Sequence, residues 1–350
     1  MPGVLDYFLY ALGGYLGVTA LLMALALAVP RAGFYGRLLS SYFCFFLSAA
    51  YGVVVSIIFR LVGYGGASQW AVARLFQLIM GLSTGVYFDV TGTEYLTERP
   101  VVFVGNHQTY VFLAGPACHP GWLKESDVVG VMSSELDVLM LGAIFPPFCS
   151  VTAKKSLAYV PVFGWFLWLS RTVFIDRGNR DTAMAAFDGA AAEMRKHKQS
   201  VFIFPEGTRS YFAEPDLLPF KKGAFHLAVK AKVPVVPVVV ANYSNILHVK
   251  SKRFEAGHIP VRILPPIPTD NLTPADVDDL VKDTRDQMLA ELLKLTEEAR
   301  AHGVAKSAVA AKEASPTSGQ SASVLSTGSP YNTRRRPQQP LAQMMSELCH

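Results

Sequence analysis

The sequence has few charged residues for its length. Only 17% of its 350 residues are Asp, Glu, Lys or Arg and 51% are hydrophobic, whereas roughly 25% of residues are charged in soluble domains. This balance favours a membrane-associated protein. The net charge of +5 is modest and comes in part from Arg334–Arg336. It argues against a nucleic-acid-binding protein and fits contact with anionic lipids or a phosphate-bearing substrate.

Cysteines are also scarce. The four cysteines are scattered along the chain with no paired spacing: Cys44, Cys118, Cys149 and Cys349. Such spacing predicts neither a disulfide framework nor a zinc site. We therefore expect no metal site and no bound cofactor.

Two long uncharged runs stand at the beginning of the chain. Phe8–Val29 and Leu38–Phe59 are each 22 residues long, more than the roughly 20 residues that cross a hydrocarbon core. They predict a membrane helical hairpin over residues 1–65. Asp6, with no Lys or Arg before the first run, argues against a cleaved signal peptide. Two buried core helices, or a hairpin that enters the membrane without crossing it, are the alternatives.

From residue 66 onwards, short β-rich runs alternate with helical patterns. This alternation predicts an α/β fold over residues 66–302, with a mainly parallel sheet flanked by helices. The predicted strands are Val86–Val90, Val101–Val104, Phe148–Thr152, Thr172–Ile175, Val201–Phe204, Val235–Val240 and Val261–Leu264. The predicted helices are Ala71–Gly85, Thr182–His197, Gly223–Ala231 and Thr273 to about Ala301. The composition of residues 303–350 predicts a disordered tail.

The loop Phe204–Ser210 follows one of the predicted strands. It offers a carboxylate, a guanidinium, two hydroxyls and a glycine that lets the backbone approach a ligand. The planar fork of Arg209 suits two oxygens of a phosphate. Taken alone, the loop fits a surface turn with a Glu–Arg ion pair equally well.

Other chemically useful residues also follow predicted strands. His107 comes directly after Asn106 at a strand end and could act as a general base, although a single such histidine is more commonly structural. Arg177 ends another strand, and Lys222 precedes a helix. A base together with several cations indicates a phosphate-bearing substrate whose hydroxyl is deprotonated.

These motifs together resemble the lysophosphatidic acid acyltransferases. The shared features are FPEGTRS at 204–210, FIDR at 174–177, the strand Val233–Val238 and the Asn106-His107 pair. Residues 1 to about 300 resemble the fungal members of this 1-acylglycerol-3-phosphate acyltransferase family. The resemblance implies a glycerolipid acyltransferase-like fold in a membrane, most readily that of the endoplasmic reticulum. It also implies transfer of a fatty acyl group from acyl-CoA, as co-substrate, to the sn-2 hydroxyl of lysophosphatidic acid, which gives phosphatidic acid.

The resemblance also implies a role for each site residue. His107 takes the hydroxyl proton, and Asp137 orients the imidazole and stabilises its cation, as in the His–Asp half of a serine-protease triad. Substrate binding is expected from Asn106, Arg177, Glu206, Gly207, Thr208, Arg209, Lys222 and Pro237. Among these, Lys222 is expected to contact a phosphate of the substrate or of CoA.

The first motif of the family is interrupted in this chain. The family has Asp at the fifth position after His, where Phe112 stands here, and Glu135-Leu136-Asp137 begins 25 residues late. Removing 25 residues, either Thr109–Ser133 or Tyr110–Ser134, restores the family spacing. We therefore predict an insertion within residues 109–134. A retained intron is our hypothesis for its origin, because 25 codons preserve the reading frame and the residues permit donor and acceptor codons.

The interruption leaves three functional interpretations open. The His107–Asp137 contact now requires closure of a long loop, and bulky residues such as Trp122 could block the pocket. We expect little activity for the chain as written and normal activity after deletion of the insertion. The alternatives are an acyltransferase for another lysophospholipid or for glycerol 3-phosphate, and a non-catalytic membrane protein that binds lipid.

Overall fold

A computed structural model describes residues 3–107, 135–175, 180–207, 215–248 and 251–313. The predicted insertion lies outside the described residues, as do three of the predicted site residues: Arg177, Thr208 and Arg209. The compact unit that holds the remaining site residues ends at Val304.

Helices and strands alternate through most of the described chain. Its α-helices are α1 (Val4–Leu25), α2 (Pro30–Leu61), α3 (Ser68–Thr84), α4 (Glu135–Ile144), α5 (Phe163–Leu169), α6 (Arg180–His197), α7 (Gly223–Ala231) and α8 (Val277–Glu313). Its strands are β1 (Val86–Thr91), β2 (Val102–Gly105), β3 (Cys149–Lys154), β4 (Val173–Ile175), β5 (Ser200–Ile203), β6 (Val235–Val240), β7 (Leu247–His248), β8 (Arg253–Phe254) and β9 (Gly257–Ile263).

Seven strands form one sheet in the order β1-β9-β6-β2-β5-β3-β4. Neighbouring strands are parallel, except for the antiparallel pair β6–β9. The predicted α/β fold with a mainly parallel sheet is therefore confirmed. β2 lies between β5 and β6, with Val102 in register with Val201 and Val235. The carboxyl ends of these three strands meet at one edge of the sheet, where α/β proteins place their ligands.

The sheet is covered on both faces. Along β2, Phe103 packs into an apolar core that includes residues of α2, α3 and α4. Val102 and Val104 point the other way, into a core built with α6, α7 and α8. Burial on both faces accounts for the continuous valine runs of β2 and β6.

The amino-terminal helices form the expected apolar pair. Both are long and apolar enough to cross a membrane by length and composition. α1 buries no residue, whereas α2 buries one face that includes Phe34, Leu38 and Cys44. The alternative of two buried core helices is therefore wrong for α1. α2 begins earlier than predicted, with Pro30 at its first turn, where the missing N–H of proline has no helical partner to lose.

Four features differ from the predicted elements. The helix α4, the short helix α5 and the β7–β8 hairpin were not predicted. Two-residue strands and a seven-residue helix carry little periodicity. α8 continues to Glu313, past the predicted end near Ala301. The disordered tail predicted for residues 303–350 stays a prediction. Its part beyond Glu313 lies outside the described residues.

Candidate active site

His107 and Asp137 meet at the carboxyl edge of the sheet. His107 follows β2, and Asp137 lies in the first turn of α4. The His107 Nδ1 atom lies 2.8 Å from Asp137 Oδ2, with side chains that are 14% and 4% exposed. The contact therefore forms although 30 positions separate the two residues in the sequence. A buried carboxylate on one ring nitrogen fixes the imidazole and leaves the other nitrogen to face a substrate.

The ring of His107 is also held by an aromatic neighbour. It stacks on Phe204, directly after β5, with 4.4 Å between the ring centroids and 27° between the ring planes. β5 is the neighbour of β2 in the sheet. The loop predicted to bind phosphate therefore begins against the face of the predicted base.

Glu206 holds the backbone of the site. The N–H of His107 donates to Glu206 Oε1 at 2.9 Å, and the N–H of Leu218 donates to Oε2 at 3.0 Å. The side chain is buried, which raises the pKa of the Glu206 carboxyl, while these two N–H donors act in the lowering direction. Because both oxygens bind main-chain donors, Glu206 supports the backbone at His107; its predicted contact with the substrate stays a prediction.

Asn106 likewise binds the protein itself. Its side chain is buried, donating through Nδ2 to the Val240 carbonyl at 3.0 Å and accepting through Oδ1 from the Val240 N–H at 2.8 Å. These two bonds join the ends of β2 and β6. The arrangement fixes the backbone directly before His107, and the predicted substrate contact of Asn106 stays a prediction.

Gly207 and Lys221 lie against each other. The N–H of Gly207 donates to the Phe204 carbonyl at 3.1 Å and closes a turn. Gly207 has φ +67, and a Cβ atom there would lie 2.7 Å from both Cε and Nζ of Lys221. The left-handed backbone favours glycine at this position, and the Lys221 side chain packs over it.

Lys222 points elsewhere. Its Nζ atom lies 2.6 Å from Asp278 Oδ1 in the first turn of α8. The structure brings Lys221 to the loop after β5, and the phosphate contact predicted for Lys222 stays a prediction. The sequence carried a signal for this position in the Lys-Lys pair but not for which lysine faces the site. Pro237 is buried in β6 in register with Val104, consistent with a wall of the sheet.

Tyr243 is a site residue that the sequence did not indicate. Its hydroxyl donates to Asp137 Oδ1 over 3.3 Å, and its side chain is buried. Asp137 thus contacts His107 through one carboxylate oxygen and Tyr243 through the other.

An apolar cavity of about 100 Å³ lies among the helices that cover one face of the sheet. It is bounded by α2, α3, α4 and α5, and Val138 and Leu141 of α4 lie in its wall. The other lining residues are mostly apolar: Phe45, Ser48, Ala49, Gln69, Val72, Ala73, Phe76, Phe145, Val151, Phe163, Phe166 and Leu167. A group of three or more His, Cys, Asp and Glu side chains able to hold a metal does not occur within the described ranges.

Comparison with known proteins agrees with this architecture. The Acyltransferase family matches residues 128–241, a span that includes Asp137 and Glu206 and begins after His107. The chain is 42% identical over 245 residues to the 1-acyl-sn-glycerol-3-phosphate acyltransferase of Saccharomyces cerevisiae, covering 70% of this chain and 73% of that protein. It is 33% identical over 233 residues to the human 1-acyl-sn-glycerol-3-phosphate acyltransferase alpha, covering 66% of this chain and 73% of the human protein.

A solved structure shares the fold. The crystal structure of the 1-acyl-sn-glycerophosphate acyltransferase PlsC from Thermotoga maritima superposes with a TM-score of 0.53 at 20% identity, over 73% of this chain and 94% of that one. The family resemblance read from the sequence motifs is thus confirmed. The chain belongs to the 1-acyl-sn-glycerol-3-phosphate acyltransferase family.

Proposed function

We propose that this protein transfers a fatty acyl group from acyl-CoA to the sn-2 hydroxyl of lysophosphatidic acid and releases phosphatidic acid and CoA. The observation that carries the proposal is the 2.8 Å contact between His107 Nδ1 and Asp137 Oδ2 at the carboxyl edge of the sheet. The relatives are named as 1-acyl-sn-glycerol-3-phosphate acyltransferases, which supports this acceptor.

His107 acts as the general base in this mechanism. Its Nε2 atom takes the proton of the sn-2 hydroxyl as the hydroxyl oxygen attacks the thioester carbonyl carbon. Asp137 stabilises the imidazolium that forms, and the carbon–sulfur bond then breaks. The departing thiolate of CoA takes the proton back from His107, so that no acyl-enzyme intermediate is needed.

The loop after β5 and the lysine beside it bind the glycerol phosphate. Gly207 brings the backbone close, and the Lys221 amine adds a positive charge at the loop. Arg177, Thr208 and Arg209 complete the site by their resemblance to the family motifs. Arginine forks suit a phosphate because they bind two of its oxygens at once.

The apolar cavity receives part of the acyl chain. Two of its lining residues, Val138 and Leu141, belong to α4, the helix that carries Asp137. Apolar walls with few polar groups suit hydrocarbon.

The amino-terminal hairpin binds the bilayer from one side. α1 is apolar and buries no residue in the described chain, so hydrocarbon would cover it. Both ends of α2 are held by the catalytic domain, since Arg37 donates to the Phe254 carbonyl at 2.9 Å and Arg60 donates to the Leu169 carbonyl at 2.8 Å. A helix that is bonded to one domain near both of its ends lies along that domain. The connector between α1 and α2 therefore stays on the same side of the bilayer as the catalytic domain. The membrane of the endoplasmic reticulum is the proposed location.

This topology has a direct test. Leu27 is highly exposed in the connector between α1 and α2. A membrane-impermeant maleimide added to the vesicle face opposite the catalytic domain should leave a Leu27→Cys variant unmodified. Modification from that face would show that the hairpin crosses.

The 25 additional residues are proposed to be a retained intron. The described residues around them form the histidine–aspartate contact, which supports catalysis by the chain and weighs against a purely lipid-binding role. Sequencing of cDNA tests the origin, since a transcript lacking the 75 nucleotides is expected. Retention of these nucleotides in every transcript would contradict it.

The acceptor is tested with purified protein in lipid vesicles and one acyl-CoA. Lysophosphatidic acid, glycerol 3-phosphate and lysophosphatidylcholine are compared as acceptors in parallel reactions. We expect the highest kcat/KM for lysophosphatidic acid, because the cations at the loop favour a phosphomonoester. Equal rates with lysophosphatidylcholine would contradict the proposed acceptor.

A further inference from the structure

We propose that Tyr243 is a positioning residue that holds the Asp137 carboxylate in place against His107. This inference rests on the proposed function. It assigns a role to a tyrosine from the segment after β6, which none of the predicted motifs includes. The tyrosine acts on the reaction through Asp137 and does not touch the substrate.

The first argument is the state of the Asp137 carboxylate. A buried carboxylate needs partners for both of its oxygens, because an oxygen without one costs a large share of its hydration energy. Asp137 is 3% exposed, and Oδ2 faces His107. The Tyr243 hydroxyl donates to Oδ1. One Asp137 oxygen is therefore held by His107, which follows β2, and the other by Tyr243, which follows β6.

The second argument is the rigidity of the support. The Tyr243 ring lies in the apolar core between the sheet and α2–α4, and the Tyr243 carbonyl accepts from the N–H groups of Ile246 at 2.9 Å and Leu247 at 3.0 Å. The end of β6, three residues before it, is bonded twice to Asn106. His107 and Tyr243 are therefore anchored to the same two strand ends.

The third argument is particular to this chain. In the family motif a short local turn joins the histidine to its aspartate. Here 30 positions separate them, so a local turn cannot fix Asp137 against His107. A tertiary hydrogen bond from Tyr243 supplies an orientation that does not depend on the connecting segment.

The test is the Tyr243→Phe variant of the full chain, which removes the hydroxyl and keeps the ring. We expect kcat to fall about 10- to 150-fold, in line with loss of one hydrogen bond to a charged group, with little change in KM for lysophosphatidic acid. Such a split marks an effect on the reacting groups and not on substrate binding.

The matched control is Tyr42→Phe, which removes a hydroxyl from another tyrosine packed on the same core. It should leave kcat within about twofold of the wild-type value. A Tyr243→Phe variant with wild-type kcat would overturn the inference. So would an equal fall in kcat in both variants, which would mark a general effect on the core. A wild-type chain that forms no phosphatidic acid would instead contradict the proposed function.

Discussion

Replacement of Glu206 by glutamine tests whether this carboxylate supports the backbone or binds the substrate. In the structure its two oxygens accept from the N–H groups of His107 and Leu218 at 2.9 and 3.0 Å. Glutamine keeps one acceptor and turns an NH₂ group towards the other N–H. The lost bond to a charged acceptor is worth about 1.5–3 kcal/mol.

Part of that loss is offset in the variant. Burial raises the pKa of the Glu206 carboxyl, so the charged form carries a desolvation cost that a neutral amide avoids. We therefore expect a net loss of about 1–2 kcal/mol in the free energy of unfolding. For a domain of this size that is a fall of about 2–8 °C in Tm.

The kinetic result separates the two roles. If Glu206 positions the His107 backbone, Glu206→Gln lowers kcat and leaves KM for lysophosphatidic acid nearly unchanged. Thermal unfolding and acyl-transfer kinetics are measured on the same preparation. A variant with normal kcat, normal Tm and a strongly raised KM would refute the reasoning and return Glu206 to substrate binding.

Three further predictions concern the lysine pair, the cavity and the insertion. Lys221→Met should raise KM for lysophosphatidic acid about tenfold, because it removes a positive charge from the loop. Lys222→Met is the matched control and should change KM less than twofold, because that amine pairs with Asp278. Equal effects of the two substitutions would contradict this assignment. Ala73→Leu places a larger side chain in the apolar cavity. It should raise the kcat/KM for a short acyl-CoA relative to that for a long one by about tenfold. An unchanged ratio would show that the acyl chain binds elsewhere. Deletion of Thr109–Ser133 should raise kcat/KM about tenfold. The shorter segment between His107 and Asp137 lowers the entropic cost of their contact by about 1–2 kcal/mol. Equal activity of the full-length and the shortened protein would refute this prediction.

The elements that the sequence predicted best are those with long apolar runs between turn residues. β6 and α7 have the predicted bounds, Val235–Val240 and Gly223–Ala231. Such runs identify buried elements because burial on both faces leaves no polar positions. The β7–β8 hairpin and the continuation of α8 depend on tertiary contact and on helix propensity, which short-range patterns represent poorly.

The residue types of the site were predictable, but their partners were not. His107 and Glu206 were identified as site residues from strand-end motifs, yet the bond between them joins positions 99 apart. Asn106 and Val240 are 134 positions apart, so no local sequence pattern predicts the hydrogen bonds between them. Lys221 and Lys222 are chemically alike, and only the start of α7 decides which of them turns towards α8.

The most direct test of the whole account is the formation of phosphatidic acid from lysophosphatidic acid and labelled acyl-CoA by the wild-type chain and by His107→Ala. The account predicts that the wild-type chain forms product and that His107→Ala lowers kcat by about 10²–10⁴-fold, the contribution of a general base. His197→Ala, which alters a histidine at the end of α6, should retain wild-type activity. Retention of activity by His107→Ala would contradict the central role of His107.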